Sequence, residues 1–415
     1  VEDNKKFIKG FLGGLFTATC VLAIVVFIYK YTDLDVNLSR ASLVSNTSND
    51  ADTKEVGSKA VDSKISVIKQ IIDKYYLEEV HETDLVEGMY KGLVDGLGDP
   101  YSVYYTKDEF QSLMESTNGV YCGIGVTVSQ DANTGIITLV KPFENSPGLK
   151  AGILPGDILY MVDDTEVTGM ELSSVVAMIK GEEGTTVNLT IIREGERDNI
   201  ELTVERQQIE IPTISYEVLK NNIGYINISE FDTVTQPQFI NALEDLKNQG
   251  IAGLIVDLRN NPGGNLDVVN NILDQILPEG MIVYTEDKYG NKEEYKSDEE
   301  HQFTKPLAVL INGNSASASE IFAGAVKDYG IGTLVGTKTF GKGIVQRLIE
   351  LGDGTAMKLT ISKYYTPNGY NIHKIGIEPD VLIELDEALK MQAIITHDED
   401  NQLQKAIEII EEKLH

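Results

Sequence analysis

Residues 305–346, KPLAVLINGNSASASEIFAGAVKDYGIGTLVGTKTFGKGIVQ, constrain the fold of this chain more than any other stretch. An unbroken apolar run, Leu307 to Ile311, is bounded by Pro306 and Gly313. So short a run between breakers predicts a buried strand. Ile321, Phe322, Ala325, Val326 and Tyr329 then recur at helical spacing, which predicts a helix directly after it. Ser317 falls at the strand-to-helix junction, and two readings of it stand side by side. With Glu320 three residues on, it has the form of a capping box that satisfies unpaired N–H groups. A serine at a helix N-terminus also lies beside the positive end of the dipole, which favours a developing oxyanion and so suits a nucleophile. Lys342, between Gly341 and Gly343 and followed by Gln346, is a candidate base for a Ser–Lys pair. The plain alternative for Lys342 is a solvated surface lysine.

The neighbouring segments repeat the strand–helix alternation. Ile223 to Ile228 and Gly253 to Arg259 read as strands, and Phe239 to Leu246 and Val268 to Leu277 as helices. Further strands fall near Thr333, Ile344 and Met357 to Ile361. The alternation predicts an α/β domain over 206–385 with a largely buried sheet. Residues 285–304 are polar and read as an exposed loop or edge hairpin. Residues 386–415 form an amphipathic helical segment whose Ile394, Ile395, Leu403, Ile407, Ile410 and Leu414 suit packing, dimerisation or one side of a solvated helix.

At 415 residues the chain holds two or three domains. Residues 11–29 carry no charge, long enough for one span. Lys5, Lys6 and Lys9 precede the run and Asp33 and Asp35 follow it. The expectation is a cytoplasmic tail over 1–10, a transmembrane anchor over 11–30 and an extracytoplasmic remainder, with a cleaved signal peptide as the rival reading of a run that is long for one. Residues 31–60, rich in Ser, Asn, Asp and Thr, read as a linker. A formal charge of −30 argues against a nucleic-acid partner. Cys20 and Cys122 make no disulfide framework, and the five histidines show no metal-ligand spacing. No metal and no cofactor are expected.

Residues 61–118 read as a helical region, with one apolar stripe of Ile65, Ile68, Ile71, Ile72 and Tyr75 and another of Leu85, Met89, Leu93 and Leu97. These helices would pack on the core or pair with a second copy. Residues 119–205 differ: about five short strands and two short helices, with the run Ala151-Gly-Ile-Leu-Pro-Gly-Asp-Ile-Leu159. This segment resembles a PDZ domain. The resemblance makes Gly123, Ile124, Gly125 and Val126 the loop that holds a peptide's terminal carboxylate. Free backbone N–H groups in a glycine loop suit that task, and the peptide would add a strand at the sheet edge.

Taken in order, Gly92-Leu-Val-Asp-Gly-Leu-Gly-Asp-Pro-Tyr101-Ser102, the PDZ-like segment, Asp257-Leu-Arg-Asn-Asn-Pro-Gly-Gly264, Ser315-Ala-Ser317-Ala-Ser-Glu320 and Thr339-Phe-Gly-Lys342-Gly with Gln346 resemble the carboxy-terminal processing proteases of serine peptidase family S41. The resemblance implies a multidomain α/β chain with a crotonase- or ClpP-like core. It implies Ser317 as nucleophile, Lys342 as general base and Gln346 as its orienter. The implied oxyanion donors are the N–H groups of Gly263 and Ala318. Ser315, Ser319 and Lys338 match positions that are not catalytic. Enclosure by Phe340, Ile344 and Val345 would lower the pKa of Lys342, and a strand over 342–346 would put Lys342 and Gln346 on one face. The expected function is endopeptidase cleavage of proteins near free C-termini presented by the PDZ domain. The alternative is a PDZ-based adaptor that binds peptides without catalysis.

Overall fold

The computed structural model describes residues 55–415 apart from 299, 391, 393 and 394. The expected anchor over 11–30, the tail before it and most of the linker lie outside the described residues. Among the described residues, no helix is long and apolar enough to cross a membrane. The chain divides into two units, 1–85 and 86–415.

In the first unit, helix α1 (Lys59–Tyr75) starts where Ser58 Oγ accepts from Val61 N–H. Its Ile65, Ile68 and Ile71 are exposed. Helix α2 (Glu82–Asp95) straddles the division.

The second unit continues with strand β1 (Val103–Tyr105) and helix α3 (Lys107–Asn118). Thr106 and Glu109 form the capping box of α3, and Gly119 ends it at φ 66°, a left-handed turn that favours glycine. A two-stranded antiparallel ribbon, β2 (Val120–Gly123) with β9, opens and closes the next domain. Between them run β3 (Val126–Gln130), β4 (Ile137–Pro142), α4 (Pro147–Lys150), β5 (Asp157–Val162), β6 (Thr165–Glu166), α5 (Leu172–Ile179), β7 (Thr186–Ile192) and β8 (Ile200–Glu205), followed by β9 (Gln207–Glu210). The antiparallel sheet has the order β3-β4-β5-β7-β8, with β6 on β5. Alternate residues Val187, Leu189 and Ile191 of β7 point inward with Leu139, Leu159 and Val175, so one face of the sheet is the core.

The remaining elements are β10 (Ile214–Leu219), β11 (Ile223–Ile228), α6 (Thr235–Asn248), β12 (Gly253–Asp257), α7 (Leu266–Asp274), β13 (Gly280–Asp287), β14 (Lys292–Ser297), β15 (Leu307–Ile311), α8 (Ala318–Tyr329), β16 (Gly332–Gly336), β17 (Ile344–Glu350), β18 (Ala356–Tyr365), β19 (Val381–Leu382) and α9 (Asn401–Leu414). One sheet has the order β10-β11-β12-β15-β16-β19 and is parallel from β11 onward. Every residue of β12 and β15 is buried, as a parallel sheet covered on both faces requires. Helices α6, α7 and α8 contribute to the core on one face and α9 to that on the other.

The C-terminal helix is shorter than the sequence pattern suggests. It spans 401–414, and the described residues 387–390 and 397–399 before it form turns. Its Leu403 and Ile410 are fully buried, so the segment packs on the core, each such side chain contributing about 1.5–3 kcal/mol. A Cβ at Gly253 would meet Ile410 Cγ2 at 2.5 Å, so glycine there permits the close approach. A second, antiparallel sheet joins β1, β18, β13 and β14 in that order, with β17 on β18. The polar stretch 285–304 supplies the β13–β14 edge hairpin.

Candidate active site

Four loops leave the carboxyl ends of parallel strands: 229–234 after β11, 258–265 after β12, 312–317 after β15 and 337–343 after β16. Open α/β sheets bind ligands at that edge. A cleft of about 650 Å³ opens there, with Ser317, Ala318, Lys342, Gln346 and Gly264 in its wall. Residues of β17 and β18 close the other side.

Ser317 sits between β15 and α8 at φ 56°, ψ −112°. Positive φ is uncommon for a side chain other than glycine and costs on the order of 1–3 kcal/mol. The surroundings enforce it. The Ser317 carbonyl accepts from Ile321 N–H at 3.0 Å and from the buried Tyr364 hydroxyl at 3.0 Å. The capping arrangement is present in modified form: Glu320 reaches back to Ser317 N–H (3.0 Å), while Ser317 Oγ makes no side-chain cap bond. The Glu320 N–H goes to the Ser317 carbonyl at 2.8 Å. The helix start is therefore satisfied without consuming the hydroxyl.

Glu320 is fully buried. Its Oε1 accepts from Thr339 Oγ1 (2.6 Å) and Gly341 N–H (2.7 Å), and its Oε2 from Lys342 N–H (2.7 Å) and Ser317 N–H. Burial pushes the carboxyl pKa above its ordinary value, and these four donors pull the other way. All four neighbours donate and none accepts, which is the pattern an ionised carboxylate fits.

Lys342 has its pKa lowered, first by burial and then by the Lys358 charge; Glu320 and Asp99 oppose this. Its Nζ lies 5.1 Å from the centre of the Tyr101 ring. Asp99 fixes that ring's loop by accepting from Tyr101 N–H (3.1 Å) and Ser102 Oγ (2.6 Å). Ser102 Oγ in turn accepts from Thr360 N–H of β18 (3.1 Å). The sequence predicted Phe340, Ile344 and Val345 as its neighbours. Phe340 is 57% exposed and does not line the cleft, whereas Ile344 and Val345 line it with Lys342 as expected.

Lys342 also precedes its strand rather than lying in it. Strand β17 starts at Ile344, and a register irregularity falls between Val345 and Gln346. The simple two-residue alternation from 342 to 346 is therefore broken. Gln346 Nε2 donates weakly to Ile344 O and Thr360 Oγ1, at 3.4 Å each, and no hydrogen bond joins Gln346 to Lys342. Nor does one join Ser317 Oγ to Lys342 Nζ; without substrate, such bonds are often unmade.

Of the two N–H groups expected as oxyanion donors, one is engaged elsewhere. Gly263 N–H is committed to Asn261 Oδ1 at 2.8 Å. The N–H groups of Gly264 and Ala318 have no partner among the described residues, and both residues line the cleft. Gly263 has φ 105°, and a Cβ there would meet Ala316 O at 2.6 Å and Ser317 Cβ at 2.8 Å, so only glycine lets this loop reach the serine. The two flanking serines are structural: Ser315 Oγ donates to Leu258 O (2.8 Å) and Ser319 Oγ to Asn261 O (3.0 Å). Lys338 pairs with Glu378 at 2.9 Å.

In the β3–β8 domain, the Ile124 and Gly125 carbonyls accept from Gly148 and Phe143 N–H. Their own N–H groups have no backbone acceptor among the described residues. Gly123 ends β2 against the Tyr121 ring, Val126 begins β3, and β3 is a sheet edge. The Gly125 N–H meets the Tyr121 hydroxyl instead, and the loop opens directly onto the β3 edge.

A strained serine on a strand–turn–helix junction, in a cleft with a desolvated lysine, defines a serine-type hydrolase. Residues 222–383 match the model of peptidase family S41, residues 121–204 that of a PDZ domain and residues 22–109 that of the activating protease CtpB N-terminal domain. The carboxy-terminal processing protease CtpA of Bacillus subtilis (strain 168) is 38% identical over 336 residues, which are 81% of this chain and 71% of that protein. CtpB of the same organism is 37% identical over 330 residues, 79% of this chain and 68% of that protein. The solved structure named "Putative S41 protease from Bacteroides fragilis NCTC 9343" shares the fold, with a TM-score of 0.51 at 17% identity, covering 81% of this chain and 91% of that one. The chain belongs to peptidase family S41 and is a serine-type peptidase with a PDZ domain.

Proposed function

We propose that this chain is an endopeptidase that cleaves proteins near their C-termini, with Ser317 as nucleophile and Lys342 as base. Neutral Lys342 takes the Ser317 proton as Oγ attacks the substrate carbonyl. The oxyanion forms against the Ala318 N–H at the start of α8 and the Gly264 N–H of the loop after β12. Lys342 returns the proton to the leaving amine, and water then hydrolyses the acyl-enzyme. Gln346 aims the lysine once substrate closes the cleft. The observation that carries this reading is Glu320, whose carboxylate binds the backbone of both Ser317 and Lys342.

The PDZ domain presents the substrate, its free carboxylate on the N–H groups of 123–126 and its backbone beside β3. The uncharged run at 11–29 anchors the enzyme in a membrane, with catalysis on the extracytoplasmic side. The test compares wild type, Ser317→Ala and Lys342→Ala on an unstructured protein, with products mapped by mass spectrometry. Cleavage near the C-terminus by wild type alone supports the proposal, and equal activity in all three removes it. Amidating the substrate's C-terminus should raise KM.

A further inference from the structure

The loop after β11 carries two carboxylates that the mechanism does not use. Phe231 is fully buried; its N–H donates to Gly263 O at 2.9 Å, and its carbonyl accepts from Asn265 N–H at 2.7 Å. With Phe231 in the core, its neighbours Glu230 and Asp232 turn the other way, and both line the cleft that holds Ser317. The Asp232 residue is only 5% exposed. Neither carboxylate has a hydrogen-bond donor or an ion-pair partner among the described residues. Buried carboxylates are ordinarily paired.

Three further observations characterise this corner. The carboxyl end of α3 abuts it: Thr233 N–H donates to Thr117 O at 3.2 Å, and Ser116 and Thr117 line the same cleft. That helix end carries partial negative charge, and the last turn of α3 holds no basic residue. Second, Lys342, Arg347 and Lys358 line the cleft too, yet the influences on the Asp232 carboxyl are burial and Glu230, which together push its pKa up to about 7. Third, the pair lacks the ligands of a metal site. The one cluster of three or more metal-type ligands among the described residues is Asp274, Asp298 and His301.

We propose that Glu230 and Asp232 form a subsite for a cationic side chain, Lys or Arg, of the substrate. The Phe231–Gly263 hydrogen bond places this subsite next to the loop that abuts Ser317, so the cation belongs to a residue close to the scissile bond. A guanidinium or ammonium between the two carboxylates relieves their mutual repulsion and gives each the partner it lacks. The proposal rests on the peptidase reading above and names the side chain that its cleft selects.

The test reads binding, so it does not depend on turnover. Unstructured peptides with free C-termini, identical except for one Lys or one norleucine moved through successive positions, are titrated into the Ser317→Ala chain. The conditions are pH 8 and moderate salt, with fluorescence anisotropy as readout. The expected result is one position, or two adjacent ones, where Lys binds at least about fivefold more tightly than norleucine. The Glu230→Gln/Asp232→Asn double variant should lose that preference, and Glu230→Lys should favour Glu there instead. Melting curves should show the double variant folded, since it removes unpaired buried charge. Equal binding at every position, or a Lys preference that survives in the double variant, overturns the proposal. So does calcium ion alone raising the Tm of wild type but not of the double variant, with no Lys preference seen. Loss of peptidase activity in wild type, with the binding preference intact, would count against the catalytic assignment and not against the subsite.

Discussion

Ser317 and Lys342 share one oxygen: the backbone N–H of each donates to Glu320 Oε2, at 3.0 and 2.7 Å. They are twenty-five residues apart and lie in loops after different strands. A single buried carboxylate thus sets the spacing of the proposed nucleophile and base through their main chains.

Glu320→Gln should break that relation with little change in volume. The amide offers one acceptor oxygen and turns an NH2 group toward N–H donors. The expected loss is at least about 100-fold in kcat with KM nearly unchanged, because groups are misplaced and substrate contacts are not. A stability cost of about 1–3 kcal/mol accompanies it. Steady-state kinetics with a thermal melt check both, and a variant with wild-type kcat would show that the shared oxygen does not matter.

The pH profile follows from Lys342. Its pKa lies below the ordinary 10.5, and a lysine acting as the proposed base must be neutral. Activity should rise with pH through that lowered pKa and level off above it. Lys358→Met removes a like charge that depresses the value, so the rising limb should move to higher pH. A limb that stays in place would exclude Lys358 as a cause.

Tyr101 acts with the opposite sign. Its ring favours the charged ammonium by about 0.5–1 kcal/mol. Tyr101→Leu keeps the apolar enclosure and loses that attraction, so the limb should shift to lower pH by about half a unit. A shift upward would mean that the ring serves mainly to exclude water.

Asp232 gives a prediction about stability. Its carboxyl moves from 3.8 to about 7 on folding. Between these values the folded chain holds a proton that the unfolded chain has released, so stability falls as pH rises through the window and is level above it. Asp232→Asn abolishes that loss. Melts of variant and wild type should agree near pH 4, and the variant should be more stable at pH 8 by at least about 1 kcal/mol. Matching curves at both pH values would show that the carboxylate is solvated after all.

Much of this architecture is legible in the sequence because burial leaves a periodic trace. Leu307–Ile311 and Ile223–Ile228 stand where the apolar pattern puts them. The site is less legible because its geometry depends on contacts between distant segments. Nothing local says that Tyr101 will lie against Lys342, that Asn261 will take the Gly263 N–H, or that β17 will break register beside Gln346. Glu320 was visible, but as the distal residue of a capping box; its bonds to Thr339, Gly341 and Lys342 need the folded chain. The spacing of Ile394 to Leu414 showed an apolar stripe without showing what covers it, and the structure puts Leu403 and Ile410 against the parallel sheet.

The run Ser315-Ala-Ser317-Ala-Ser319 presents three identical hydroxyl groups within five residues. Two are tied to the carbonyls of Leu258 and Asn261, sealed from solvent, and the middle one is left without a cap bond. Chemical selectivity here is made by subtraction: an electrophile of any size meets one hydroxyl, because the fold has already used the other two as mortar for the loop opposite.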